Sequence, residues 1–153
     1  MANSFTKIYI HYVFAVKYRH NLIQEIDREI IEKYMTGIVK EQNQKMIAIY
    51  CNPDHCHMLA RLRPTMNIED LIRDVKACSS GWIKKNLEFG KKFEWQGGYG
   101  AFSIGEREVP KLVNYIYDQP RHHAKISFKD EYELILKENS IEYLPQYLFE
   151  YYD

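Results

Sequence analysis

The sequence has little of what marks several classes of protein. Its three cysteines are an odd and sparse set, which argues against the disulfide framework of a small secreted protein. Lysine plus arginine equals aspartate plus glutamate at 21 each, so no overall positive charge indicates a nucleic-acid partner. We therefore expect reduced thiols, and we expect any phosphate binding to depend on local patches of positive charge.

Long apolar runs and a targeting segment are lacking as well. The longest stretch that leans apolar, residues 8–16, is interrupted by Tyr9, His11 and Tyr12. It falls short of the roughly 20 apolar residues that a membrane helix needs. The first four residues lack the positive start and cleavage site of a secretory signal. The expected location is the cytoplasm, with no membrane partner.

The chain shows no repeats, low-complexity segments or linker-like stretches that would divide it. Its 153 residues, 46% of them apolar, are enough to build one compact hydrophobic core. We therefore expect a single domain over residues 1–153. Thirteen tyrosines are the unusual feature of the composition, and only their positions can distinguish packing from base stacking or chemistry.

The hydrophobic pattern predicts four strands and four main helices. Alternation with a period of two predicts strands, the last one bulged, at residues 5–17, 45–51, 55–63 and 93–104. Apolar spacings of three and four predict helices at residues 25–42, from a cap at Asn67 to near Phe89, from about Glu108 to Gln119 and at 129–137. Pro110 fits the first turn of the third helix, and Pro120 is expected to stop it.

This order of elements predicts the fold class. A β-α-β-β-α-β sequence followed by extra helices is typical of the split βαβ, ferredoxin-like (RRM-like) arrangement. We therefore expect an α+β domain with an antiparallel sheet and additional C-terminal helices.

The third predicted strand carries two histidines, His55 and His57. Because side chains alternate along a strand, both imidazoles lie on one face, and Cys56 lies on the other. Two adjacent imidazoles can share a divalent cation. The competing interpretation is a pair of half-exposed strand histidines that bind no ligand.

Tyr115 and Gln119 form a second candidate pair, on the predicted third helix. Their separation of four residues puts them on one helix face. A tyrosine nucleophile and an oxygen ligand could then reach one metal together. Partly buried packing of Tyr115 is the competing interpretation.

Three segments together carry a family resemblance: residues 52–59 (NPDHCHML), 93–103 (FEWQGGYGAFS) and 115–123 (YIYDQPRHH). In order and spacing they closely resemble the single-tyrosine HUH transposases of the smallest insertion sequences, the transposase IS200-like family. The tail, with residues 127–132, 141–143 and 147–149, also resembles the closing segment of that family. One departure is Cys56, where the family has a bulky hydrophobic residue.

The resemblance implies a role for each matching residue. His55 and His57 are expected to bind Mg²⁺ or Mn²⁺, Gln119 to complete the metal site, and Tyr115 to attack DNA. The implied activity is a metal-dependent single-stranded DNA endonuclease and strand transferase that works through a 5′-phosphotyrosine intermediate. His122 and His123 fit the family pattern without a derivable role, and a surface pair near the site is the simplest interpretation of them.

The family also implies the partners. The substrate is expected to be single-stranded DNA with hairpin-bearing element ends, and the assembly a homodimer, with possible exchange of the tyrosine helix. Phosphate contacts are expected from basic residues on the third strand and near the end of the second helix. These candidates are Arg61, Arg63, Lys84, Lys85, Lys91 and Lys92.

Other functions remain possible at this point. A non-catalytic single-stranded nucleic-acid-binding module could have the same fold. A small zinc protein could use Cys51 and Cys56 together with the two strand histidines. A host-adapted relative could keep the chemistry without mobilising its own gene.

Overall fold

The computed structural model describes residues 2–145 and 148. Tyr147 and Phe149, which belong to the family-like tail, lie outside the described residues. The strands are β1 (Tyr9–Ala15), β2 (Lys45–Cys51), β3 (His55–Arg61) and β4 (Gly100–Ile104). The α-helices are α1 (Glu25–Glu41), α2 (Ile68–Asn86), α3 (Val109–Tyr117), α4 (Gln119–His123) and α5 (Phe128–Glu138).

The four strands form one antiparallel sheet in the order β2-β3-β1-β4. This order is that of the split βαβ arrangement, so the predicted ferredoxin-like fold with additional C-terminal helices is confirmed. The predicted cap at Asn67 also forms, and the structure adds a cap at Ser127. The Asn67 side chain accepts a hydrogen bond from the backbone N–H of Asp70 at 3.1 Å, and Ser127 caps α5 in the same way.

One face of the sheet carries the main apolar core. Side chains of β1, β2 and β3 pack there against α1 and α2, and Met35, Met58 and Leu71 are completely buried among them. Cys56 belongs to this core, as its position on the strand predicts. The core fixes the register of β3 and therefore determines which of its side chains face the other way.

Two smaller apolar clusters cover the opposite face. α3 packs through Ile116 over β2 and β3, where it meets Tyr50 and Leu59. α5 packs through Phe128 and Tyr132 over β1 and β4. The space between these clusters holds polar side chains, and it lies over the centre of the sheet.

Three predicted strands are longer than the observed ones, and β3 ends at Arg61 rather than at residue 63. β1 begins at Tyr9 rather than residue 5, and residues 5–8 are exposed. The predicted strand at 93–104 is regular only from Gly100, with one isolated bridge between Trp95 and Val16. Between Trp95 and Gly100 the chain turns at Gly98, which has a φ of +85°.

The predicted third helix is wrong at its C-terminal end. It ends at Tyr117, and Pro120 lies in the first turn of a separate short helix, α4. Proline has no N–H to donate to the carbonyl of Ile116, so α3 cannot continue, whereas the first turn of a new helix tolerates it. Tyr115 and Gln119 therefore belong to different helices. Pro110 lies in the first turn of α3 as predicted.

Among the described residues, no helix is both long enough and apolar enough to cross a bilayer. The expected cytoplasmic location stays a prediction.

Candidate metal and tyrosine site

His55 and His57 lie on the sheet face opposite the main core, as the alternation of β3 predicts. Their relative exposures are 1% and 0%. The interpretation as half-exposed strand histidines is therefore wrong. His55 stacks on the ring of Phe128 with 3.7 Å between ring centroids, so α5 shields this imidazole from solvent.

The cysteines do not share this site. Cys51 and Cys56 are opposite each other across the β2–β3 hairpin, with their sulfur atoms 3.5 Å apart inside the main core. The sheet separates them from the imidazoles. A zinc site that combines these cysteines with His55 and His57 is therefore excluded by the geometry.

The two imidazoles converge on a carboxylate, that of Glu131 on α5. Oε1 of Glu131 lies 3.3 Å from Nε2 of His55 and 3.1 Å from Nε2 of His57. Nε2 of His123, on α4, is also 3.1 Å from this oxygen. One ligand atom from each of these four residues lies within 4.8 Å of the other three, so the cluster could hold a metal ion.

Glu131 was not predicted from the sequence. A signal was available, because Glu131 is three residues after Phe128 and four before Ile135, and so lies within the apolar stripe of the last helix. A charge at such a position is almost never buried unless it is paired. The interpretation of His122 and His123 as a surface pair is also wrong, since both are partly buried and both approach Glu131.

Tyr115 reaches the same cluster from α3. Its hydroxyl donates a hydrogen bond to Oε2 of Glu131 and lies 3.3 Å from Nε2 of His122. Its ring meets the His57 ring edge-on, with 5.8 Å between centroids. The predicted nucleophile therefore lies beside the predicted ligands of its own chain.

Gln119 is completely buried and joins the cluster although α3 has already ended. Its carboxamide oxygen accepts from Asn52 at 3.0 Å and lies 2.9 Å from Nε2 of His123. Its carboxamide nitrogen donates to Oε2 of Glu131 at 3.2 Å. Four of the predicted site residues, His55, His57, Tyr115 and Gln119, are thus brought together.

Each strand imidazole also has a partner on its outer side. Nδ1 of His55 lies 2.6 Å from a carboxylate oxygen of Asp54, and Nδ1 of His57 lies 2.9 Å from Nε2 of His11 on β1. Burial opposes the charged form of His55, but hydrogen bonds with Asp54 and Glu131 raise its pKa overall. Burial lowers the pKa of His57, and burial together with His57 lowers the pKa of His11 to about 3.

The carboxylate at the centre alters the chemistry of the tyrosine. Burial opposes ionisation of Glu131, but its hydrogen bonds with His123, His55 and His57 hold the pKa of its carboxyl well below the usual range. Burial, and next the negative charge of Glu131, raise the pKa of Tyr115. In this arrangement Tyr115 is a neutral phenol.

The predicted DNA contacts lie outside the cluster. Arg61 is on the same face of β3 as the histidines, and its guanidinium donates to the backbone oxygen of Thr6 at 3.3 Å. Arg63 is exposed beyond the end of β3, where the prediction had extended that strand. The remaining candidates are exposed near the end of α2 and in the following 3-10 helix: Lys84, Lys85, Lys91 and Lys92.

The aromatic segment before β4 is largely core. Trp95 and Phe102 are 8% and 4% exposed, and the indole N–H of Trp95 donates to the Ser79 hydroxyl at 2.9 Å. Tyr99 is 37% exposed and lines an open groove with Lys76 and Lys84. Of these three aromatic side chains, only that of Tyr99 is thus accessible for stacking on a base.

Sequence and fold both relate this chain to known transposases. The chain is 28% identical over 119 residues to the transposases of insertion sequence element IS200 from Salmonella typhimurium and Salmonella typhi, covering 71% of this chain and 74% of each relative. In fold it resembles a protein from Deinococcus radiodurans R1 described as a transposase, with a TM-score of 0.63, 21% identity and coverage of 78% of this chain and 95% of the other. It also resembles a REP-associated tyrosine transposase solved with a REP hairpin, with a TM-score of 0.61, 15% identity and coverage of 82% and 74%. The family model described as "Transposase IS200 like" matches residues 4–119, and the chain belongs to this family of transposases.

Proposed function

We propose that this chain cleaves and rejoins single-stranded DNA through a covalent bond between Tyr115 and a 5′-phosphate, with a divalent cation bound beside it. The observation that carries the proposal is the approach of Tyr115 to His55 and His57 over the centre of the sheet, within one chain. Membership of the IS200-like family supports the same chemistry.

The donor atoms of the cluster fit a divalent cation. Two imidazole nitrogens of β3, a third from His123 and the carboxylate of Glu131 converge on one point. Such a mixed nitrogen and oxygen set, with a carboxamide oxygen of Gln119 close by, suits Mn²⁺ or Mg²⁺ in a catalytic site. We propose His55, His57 and Gln119 as ligands, with His123 and Glu131 as additional donors.

Gln119 has to turn for this role. Its carboxamide oxygen is engaged with Asn52 and His123, and its nitrogen faces Glu131. A rotation of the carboxamide would exchange the two atoms and aim the oxygen at the cation. His123, which lies 2.9 Å from that oxygen, would then be freed from it.

The reaction assigned to Tyr115 is a transesterification. Its hydroxyl oxygen attacks phosphorus, a tyrosyl ester bond forms, and the bond from phosphorus to the 3′-oxygen breaks. The phenol proton passes to the Glu131 carboxylate or the His122 imidazole, both of which contact the hydroxyl. The departing 3′-oxygen takes up a proton and becomes a hydroxyl. A 3′-hydroxyl can later attack the ester in reverse, which restores the phenol and joins the strand.

A bound cation supplies positive charge that stabilises the charge developing on the phosphate oxygens. Glu131 belongs to the proposed cation site and also contacts the hydroxyl of Tyr115. Its carboxylate raises the pKa of Tyr115, so any interaction that draws the negative charge of Glu131 away from the phenol favours the reactive phenolate.

The proposed substrate is single-stranded DNA that carries a hairpin. Support comes from the REP hairpin bound by a transposase of similar fold. Arg61 and Arg63 continue the line of β3 beyond the histidines, and they border a groove with Lys45. Together with the lysines near the end of α2 they are the proposed phosphate contacts, which predicts DNA affinity that falls steeply with salt.

We propose one catalytic domain over residues 1–153 and a homodimer as the working assembly. The Tyr115 hydroxyl lies against Glu131 of its own chain, which favours catalysis within one subunit over exchange of the tyrosine helix. A host-adapted relative would retain the same site, and its chemistry would be identical.

The test uses labelled single-stranded DNA with hairpin ends, incubated with the protein and Mg²⁺ or Mn²⁺. We expect a denaturant-stable protein–DNA adduct that is lost in Tyr115→Phe. Tyr117→Phe is the matched control, because Tyr117 is two residues away and 54% exposed, and this variant should retain the adduct. An undiminished adduct in Tyr115→Phe would contradict the assignment.

A second variant separates catalysis from binding. His57→Ala should abolish metal-dependent cleavage while retaining much of the affinity for DNA, because the proposed phosphate contacts lie elsewhere. Binding of hairpin DNA by the wild-type protein with no adduct under any divalent cation would favour the non-catalytic nucleic-acid-binding module instead.

A further inference from the structure

His11 is a buried histidine with no part in the proposed reaction. It lies on β1, opposite Leu59 of β3 and Phe102 of β4, and it is 4% exposed. Its Nε2 is 2.9 Å from Nδ1 of His57, and the planes of the two rings differ by 20°, so the ring nitrogens face each other. An imidazole in this position is in direct contact with a proposed metal ligand, on the side away from the cation.

Between two facing ring nitrogens a hydrogen bond needs one proton and one lone pair. When Nε2 of His57 binds a cation, its lone pair is used there, so the single ring proton of His57 must be on Nδ1. That N–H then donates to Nε2 of His11. The proton of His11 must in turn be on its own Nδ1.

The opposite arrangement suits the site without a cation. Nε2 of His57 then faces Oε1 of Glu131 at 3.1 Å, and a carboxylate can only accept a hydrogen bond. The proton of His57 is therefore on Nε2, and its Nδ1 accepts from the Nε2–H of His11. The two hydrogen-bonding patterns differ in the direction of one bond, the bond between the two histidines.

We propose that His11 is a positioning residue that selects the metal-binding tautomer of His57 by accepting a hydrogen bond from its Nδ1–H. This inference rests on the proposed metal site. His55 has its own outer partner in Asp54, at 2.6 Å from Nδ1, so both strand imidazoles direct Nε2 to the centre and hold Nδ1 from behind. Partners of this kind orient a ligating imidazole and raise its basicity, and their loss typically reduces metal affinity about 10- to 100-fold.

The proton balance of the change is closed. When a cation binds, the Nε2 proton of His57 goes to Glu131 or water, the Nε2 proton of His11 passes to Nδ1 of His57, and Nδ1 of His11 takes up one proton from water. Neither ring changes its charge. Each ring exchanges one neutral tautomer for the other, which a second histidine allows because it can donate or accept at the same atom.

The experiment measures Mn²⁺ binding to the purified protein by calorimetry. His11→Leu fills the space without an acceptor and should weaken binding at least about 10-fold. His11→Gln provides a carboxamide oxygen and should restore part of the affinity. Phe102→Leu is the packing control, because the Phe102 ring lies 6.1 Å from the His11 ring but accepts no hydrogen bond from His57, and it should bind Mn²⁺ as the wild type does.

The tautomer is read directly from the ring nitrogens by NMR of ¹⁵N-labelled protein. On addition of diamagnetic Mg²⁺, the proton of His57 should move from Nε2 to Nδ1, and His11 should show the same change. Unaltered Mn²⁺ affinity in a folded His11→Leu variant, or an Nε2–H tautomer of His57 with the cation bound, would overturn the inference. A wild-type protein that binds neither ion would overturn the metal site itself together with this inference, so the two failures are distinguishable.

Discussion

The two faces of the central sheet are equally buried but chemically different. Cys56 and Met58 of β3 are completely buried in an apolar core, and His55 and His57 of the same strand are buried in a polar cluster, with exposures of 1% and 0%. The first face is held mainly by close packing. The second depends on hydrogen bonds, and each polar atom lost there leaves others unsatisfied. The comparison teaches that burial alone does not identify which face of a sheet carries chemistry.

The difference is reflected in what covers each face. α1 and α2 cover the apolar face continuously, whereas α3 and α5 leave a polar strip between two small apolar clusters. Glu131 of α5 occupies that strip and contacts the three proposed imidazole ligands as well as Tyr115. One side chain therefore connects α5 to β3, α3 and α4.

The largest expected effect is the loss of this central charge. Glu131→Gln keeps the shape but breaks a buried, hydrogen-bonded charge cluster, so the free energy of unfolding in EDTA should fall by about 4 kcal/mol. Urea unfolding followed by circular dichroism measures it. Glu133→Gln, on the same helix, is the matched control and should change little. A loss under about 1 kcal/mol for Glu131→Gln would mean that packing holds both faces alike.

The apolar face should respond to a cavity instead. Met58 is 0% exposed, and Met58→Ala should lower the free energy of unfolding by about 3 kcal/mol. Because the side chain points away from the imidazoles, Mn²⁺ affinity of the folded variant should stay as in the wild type. Calorimetry at a temperature well below the unfolding transition checks this. Weakened Mn²⁺ binding would show that the two faces are coupled through β3.

A glycine tests how closely α5 must approach the sheet. A Cβ at Gly100 would lie 2.7 Å from the Tyr132 hydroxyl and 2.9 Å from the Phe102 ring. Gly100→Ala should therefore cost about 2 kcal/mol of stability and, by displacing the helix that carries Glu131, should also weaken Mn²⁺ binding. Gly97→Ala is the control, since a Cβ there meets nothing within 4 Å. Equal stability and Mn²⁺ affinity in the two variants would contradict this account.

Sequence patterns predicted the apolar face better than the polar one. Alternation along β3 assigned Cys56 and Met58 to one side and both histidines to the other, and the structure agrees. Periodicity is a property of local sequence, so it transfers directly to a strand or helix. The ends of elements were less certain, because Pro120 can stop one helix and start the next, and the sequence pattern alone favoured the first.

The polar cluster could be predicted only in part. His55, His57, Tyr115 and Gln119 were indicated by spacing and family resemblance, but Glu131 and His11 were not. His11 reaches His57 from β1, 46 positions away in sequence, and Glu131 reaches it from α5, 74 positions away. Contacts of that kind depend on the packing of whole elements, which no local period encodes. A charged residue inside an apolar helical stripe was the available signal for Glu131.

The smallest expected effect concerns how the free energy of unfolding changes with pH. It distinguishes the two faces because only the polar face contains buried imidazoles among the described residues. EDTA keeps the site free of cations for this measurement. Burial lowers the pKa of His57. Burial and the neighbouring His57 lower the pKa of His11 to about 3, against 6.5 for an ordinary histidine. Below pH 6.5 the unfolded chain therefore binds more protons, and stability falls as pH falls, by up to about 1.4 kcal/mol per pH unit for each group. Hydrogen bonds with Asp54 and Glu131 raise the pKa of His55. The stability that this group contributes is therefore fully present below pH 6.5, so His55 adds no pH dependence of stability there.

His11→Leu removes one of these two contributions. Between pH 6 and pH 5 its free energy of unfolding should fall by about 1 kcal/mol less than that of the wild type, whatever the absolute stability of the variant. Glu131, whose pKa is lowered, contributes its own loss only as pH falls below the usual 4.5, and it is present in both proteins. Phe102→Leu, which removes no titratable group, should retain the wild-type slope. Equal slopes for His11→Leu and the wild type would contradict this account. They would mean that the imidazole of His11 takes up its proton as easily in the folded protein as in the unfolded chain. The polar face would then be less enclosed than its burial indicates.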